Sequence, residues 1–126
     1  ASGDAFKDYV QDLVADEYQG FRNSWVAAAF GSDDEVKAKY TKKLPEVLTT
    51  FESLYKKYQT DKVYLSTSSS GKPLWGDTAM FSILNDNIVT GYLTEEELQS
   101  YSRLAAMHKA YGAIPEIEAW FSSKKN

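Results

Sequence analysis

An all-helical fold is what this sequence predicts, and three observations carry the prediction. Apolar residues recur at steps of three and four through several long stretches, the spacing that gathers side chains on one helical face. Residues that start and stop helices fall at the ends of those stretches. No run alternates with period two for long enough to make a strand, residues 62–65 being the nearest approach, and no internal repeat is present.

The first helix is expected over residues 4–30, with Phe6, Val10, Leu13, Val14, Tyr18, Phe21 and Trp25 as its buried stripe and Gly31 as its end. A second follows over 33–58. Ser32 and Glu35 have the spacing of a capping box, and Asp33 and Asp34 suit the positive end of the helix dipole. Pro45 removes an amide donor and crowds the preceding turn, which predicts a bend near Leu44. Leu44, Leu48, Phe51, Leu54 and Tyr55 form the buried stripe of this helix, and Lys37, Lys39, Lys42, Lys43, Lys56 and Lys57 its solvated side.

Residues 59–72 break the pattern: five consecutive Ser and Thr residues lead into Gly71 and Pro73, the signature of a polar, flexible loop. A third helix over 75–89 carries few charges and so should be central, with Gly91 closing it. Thr94 and Glu97 make a second capping box and open a helix expected to run to Tyr111, where Gly112 stops it. Pro115 suits the first turn of a last, short helix, giving a bundle of about five.

At 126 residues the chain has the usual size of one domain, expected over 1–126, and its 43% apolar and 25% charged residues are the balance of a globular protein. A net charge of -4 supplies no field to attract a phosphate backbone, which argues against nucleic acid as a partner. The longest apolar run, residues 25–30, is far short of the ~20 needed to span a bilayer, so no membrane partner is expected. The lack of cysteine excludes a disulfide framework and a thiol nucleophile and fits a reducing compartment, the cytosol. The chain starts at Ala1 rather than Met, which points to a missing upstream part.

The catalytic templates find no match. One histidine, His108, rules out paired imidazole ligands for zinc, and on an apolar helix face it reads as a packing or hydrogen-bonding residue. No serine sits in a nucleophile elbow and no glycine loop would cradle phosphate. Asp12 and Asp16, one helical turn apart, have a spacing that would suit a cation or an ammonium group, but an exposed helix flank is the plainer explanation. Asp12, Asp16, Gln19, Asn23, Val26 and Phe30 share a second face of the first helix, polar at its start and apolar at its end. Such a gradient fits the wall of a ligand cleft, and a partly exposed face accounts for it as well.

Three segments carry a resemblance. Lys39-Tyr40-Thr41-Lys42-Lys43-Leu44-Pro45-Glu46-Val47-Leu48-Thr49-Thr50-Phe51 resembles a helix of glutathione transferases, most closely those of the sigma and mu classes. Trp75-Gly76-Asp77-Thr78-Ala79-Met80-Phe81 looks like the start of that family's central helix, and Ile114-Pro115-Glu116-Ile117-Glu118-Ala119-Trp120-Phe121 is similar to its final helix. The three stand in the family's order, and the resemblance extends over essentially the whole chain. The resemblance implies the C-terminal helical bundle only. Glutathione, the cosubstrate, and the activating Tyr or Ser would belong to a preceding thioredoxin-like domain, so this chain alone would hold no cofactor and no metal and would be inactive.

Carried over residue by residue, the resemblance puts Gln19, Asn23, Val26 and Phe30 along the pocket for the apolar cosubstrate. It makes Asp77 the buried acid that caps the central helix, a structural residue. Two positions depart from the pattern. Leu74 stands where the family has a Ser or Thr that completes the reciprocal cap, a loss on the order of 1 kcal/mol unless another group replaces it. Gly20 stands where many relatives have an aspartate that reaches the glutathione of a partner subunit. The implied partners are the thioredoxin-like domain and a second subunit or a protein complex. A non-catalytic docking or scaffolding use, as in related lens proteins and translation-complex scaffolds, is the rival reading, and a carrier of apolar ligands the third.

Overall fold

The structure is a computed structural model that describes residues 4–124; the first three and last two residues of the expected 1–126 unit lie outside it. Its elements are α1 (Ala5–Phe30), α2 (Asp34–Tyr58), α3 (Trp75–Val89), α4 (Glu95–Leu98), α5 (Ser102–Gly112) and α6 (Pro115–Lys124). Among the described residues there is no strand, only an isolated bridge between Thr67 and Pro73.

Asp4 starts α1 by accepting from the amides of Phe6 and Lys7, and α1 then rises about 39 Å over its 26 residues. A three-residue link returns the chain antiparallel as α2. Its cap is Asp33, which takes the amides of Glu35 and Val36, so Ser32 is not the cap. Asp33 sits one residue nearer the helix and carries a full negative charge, which the dipole favours. The helix continues without interruption through Pro45.

The helices α1 and α2 pack on each other, α3 packs on α1 and on α5, and α5 closes against α2, with α4 and α6 resting on α5. Between them lies one apolar cluster that includes Val10, Val14, Phe21, Leu48, Phe51, Ile83, Leu84 and Leu104. Each fully buried aliphatic or aromatic side chain of this kind contributes ~1.5–3 kcal/mol, which is what holds the helices to one another. The buried positions of α3 run from Gly76 to Asn87 and cover more than a single stripe, as its low charge implies. Phe6, by contrast, is 48% exposed at the outer end of the α1 stripe, where its ring lies 6.5 Å from that of Tyr58.

Two connections differ from the sequence expectation. The helix expected over 94–111 is two helices: Gln99, Ser100 and Tyr101 make i→i+3 bonds to Glu96, Glu97 and Leu98, and a fresh helix begins at Ser102. Its N-cap residue, Tyr101, makes no side-chain cap bond. The carboxylate of Glu52, buried on α2, supplies the cap instead, accepting from the amides of Arg103 and Leu104 at 3.0–3.1 Å. The break therefore has a long-range cause.

The polar segment expected to be flexible is pinned. Leu65 and Ser66 are buried, and the Leu65 amide donates to both carboxylate oxygens of Asp77 at 3.0 Å. Asp61 closes a turn on the amides of Val63 and Tyr64, and Lys7 donates its ammonium to the Thr67 carbonyl at 2.6 Å. Gly71, with φ 79°, makes the tight reversal between Ser68 and Lys72 that a side chain would strain.

Candidate functional site

Helical geometry alone brings Gln19, Asn23, Val26 and Phe30 to one face of α1, because steps of four and three return to nearly the same direction. Three of the four side chains on that face, Gln19, Asn23 and Phe30, are exposed. The Gln19 amide nitrogen donates to the Asn23 side-chain oxygen at 3.5 Å. Val26 is half-buried against the core. Phe30 is 76% exposed, with its ring set edge-on to Trp25 at 5.5 Å. Trp25 is itself fixed by its indole N–H, which donates to the Thr90 hydroxyl at 3.1 Å. The apolar end of the face is thus braced by the end of α3, while its polar end, with Asp12 and Asp16, stands open to water.

A separate groove of about 590 Å³ runs between α1 and α2. Phe21, Leu44 and Phe51 lie at its base, Phe21 and Phe51 with ring centres 5.6 Å apart. Gly20, Ser24 and Ala27 line its α1 side, and Lys39, Lys43 and Glu46 line its α2 side. Of the periodic face on α1 only Asp16 reaches this groove; Gln19, Asn23, Val26 and Phe30 do not line it. Sequence periodicity misses the groove because its walls come from two helices and depend on how those helices pair.

The buried polar groups are committed to holding the fold. Asp77 is fully buried and accepts from the Leu65 amide and, at 2.5 Å, from the Tyr55 hydroxyl. Burial pushes its carboxyl up from 3.8 to about 6, even though the Tyr55 hydroxyl and the Leu65 and Ser66 amides favour the ionised form. Burial likewise raises the Tyr55 phenol well above its ordinary value, and the neighbouring Asp77 charge adds to the rise. Tyr40, raised by burial too, donates to Asn87 at 2.5 Å, and Asn87 in turn donates to the Ile83 carbonyl. None of these phenols is poised to lose a proton near neutral pH.

The cap that Leu74 fails to give comes from another helix. The Gly76 amide donates to the side-chain oxygen of Gln11 on α1, and the Gln11 nitrogen donates to the Ser66 hydroxyl at 2.9 Å. A side chain at position 76 would meet that Gln11 oxygen at 2.7 Å, so glycine there permits the contact. Lys37 is half-buried and donates to the Ala28 carbonyl in the last turn of α1, a helix-end contact rather than a solvated charge. His108 stacks on Phe81 at 5.0 Å with its Nε2 2.5 Å from the Asn85 side-chain oxygen, and burial lowers its pKa against the pull of Glu95. Gln11 and Lys37 left no local signal, whereas Glu52 did: a charged residue inside the periodic stripe of Leu48, Phe51 and Tyr55.

Among the described residues no group of three or more His, Cys, Asp or Glu side chains is placed to hold a metal ion, and no helix is long and apolar enough to cross a membrane. A family model for the glutathione S-transferase C-terminal domain matches residues 19–124. The chain belongs to this family. No curated protein and no solved structure matches it significantly. The all-helical architecture agrees with the glutathione transferase C-terminal domain, and the match spans α2 through α6 together with the half of α1 that bears Gln19, Asn23, Val26 and Phe30.

Proposed function

We propose that this chain is the helical half of a sigma- or mu-like glutathione transferase, with the outer face of α1 forming one wall of the pocket for an apolar electrophile. A thioredoxin-like domain would complete the pocket and supply glutathione with its thiol pKa lowered, so that the thiolate attacks the electrophile. The part of this chain is binding and exclusion of water. Val26 and Phe30 give the apolar reactant a surface, Gln19 and Asn23 give hydrogen-bonding groups at the other end, and Asp77 holds the fold. The protein would work in the cytosol as a dimer.

The observation that carries this reading is Phe30: a large ring 76% exposed, yet set edge-on against Trp25. A large ring held open beside the half-buried Val26 offers an apolar reactant a surface to lie against. Conjugation of glutathione to an electrophile should appear only when the chain is fused to a sigma- or mu-type thioredoxin-like domain. Turnover by the isolated chain, or none from a folded fusion, contradicts the proposal.

One observation favours the scaffolding alternative. At Gly20 a side chain would meet nothing within 4 Å, so there is room for a carboxylate and none is present. A transferase without a group there would have to bind glutathione with one contact fewer. A stable complex with proteins lacking any thioredoxin-like subunit would support the scaffold over the enzyme.

A further inference from the structure

The wall proposed for the apolar reactant has a cation on its edge. Arg22 follows Gln19 by three residues and precedes Val26 by four, so helical geometry puts it on the side of α1 that carries the wall. Its side chain is exposed, and among the described residues it makes no hydrogen bond and no ion pair. Its charge reaches the half-buried Asp86 on α3, where it offsets part of the upward push that burial gives that carboxyl. That pull operates without a bonded pair, so the guanidinium keeps its donors free. Asn23, next in the chain, accepts from Gln19 with its side-chain oxygen, and its amide nitrogen has no acceptor among the described residues. Two sets of unused donors therefore stand side by side, one of them permanently charged.

We infer that this wall selects electrophiles that carry a carboxylate, which Arg22 holds while the apolar body lies along Val26 toward Phe30. The inference rests on the proposed transferase reading and names the substrate class of the same wall. A guanidinium presents its N–H groups in a planar fork that matches both oxygens of a carboxylate. Charge sets the direction in which the ligand lies. Asp16 stands about 9 Å of helical rise before Arg22 and repels an anion, whereas Val26 and Phe30 stand about 6 and 12 Å beyond it and are apolar. The ligand is therefore an organic acid whose apolar body extends roughly 6–12 Å from its carboxylate. Covering the wall with the thioredoxin-like domain removes water from the pair and strengthens it.

Calorimetric titration of the full chain fused to a thioredoxin-like domain tests it with two unreactive ligands of nearly one shape, 4-phenylbutanoate and 4-phenylbutanamide. Excess glutathione keeps the acid out of the glutathione site, and the readout needs no turnover. The acid should bind roughly tenfold tighter than the amide, and Arg22→Gln should bring that ratio to about one by weakening the acid alone. Arg22 is exposed, and an unchanged affinity for the amide shows that the variant is folded. Arg22→Lys keeps the charge and loses the fork, so its ratio should fall between the two. Equal affinities in the parent, an acid preference that survives Arg22→Gln, or binding of neither ligand overturns the inference. An acid preference carried by Arg22 in a fusion that conjugates no glutathione leaves this site standing and sinks the transferase reading. A fusion that conjugates a neutral electrophile yet shows no acid preference does the reverse.

Discussion

At the scale of single residues, Asp77 is a buried carboxyl whose protonation the fold feels. Its carboxyl is raised from 3.8 to about 6, first by burial, so the folded chain holds this proton more tightly than the unfolded one. The unfolded state therefore binds fewer protons between those values, and stability from this group is greatest below pH 3.8 and falls as pH rises to 6. The loss is on the order of 3 kcal/mol, at 1.36 kcal/mol per pK unit. Urea unfolding between pH 4 and 7 should show the stability difference between wild type and Asp77→Asn changing steeply below pH 6 and levelling above it. A difference independent of pH would mean that Asp77 is ionised throughout. The bond to Leu65 ties the 59–74 segment to α3, and so the same residue fixes a connection that composition alone marks as loose.

At the scale of elements, two helices begin without caps of their own and borrow them: α3 from Gln11 on α1, α5 from Glu52 on α2. Replacing Gln11 by Ala should lower stability by about 1 kcal/mol, the usual worth of an N-cap. Glu52→Ala should cost about 1–2 kcal/mol, because it removes a charged acceptor from two amides at the positive end of α5. Thermal or denaturant unfolding measures both, and unchanged midpoints would show that water serves those amides as well. These borrowed caps also mark where sequence reasoning stops. The end of α1, the close of α3 and the start of α6 are legible because the residues that mark them, Gly31, Gly91 and Pro115, act on their own neighbours. The break before Ser102 is not, because its cause lies fifty residues upstream in Glu52. Ser32 and Asp33 compete for one cap, and spacing alone does not decide between an alcohol and a charge.

At the scale of the whole molecule, the antiparallel pair α1 and α2 turns its core side to α3 and α5, leaving two surfaces for other work. One is the outer face of α1, with Gln19 and Asn23 at one end and Phe30 at the other; the second is the groove beside it. The outer face was legible from periodicity, since a helix repeats its directions whatever it packs against. The groove was not, since it exists only once two helices have met. The central claim is that Phe30 meets the apolar reactant. Steady-state kinetics of the fusion with a thioredoxin-like domain, comparing Phe30→Ser with the parent, addresses it most directly. The account predicts a KM for the electrophile raised roughly tenfold, equivalent to ~1.4 kcal/mol of lost contact, with the KM for glutathione unchanged. An unchanged KM for the electrophile would contradict it.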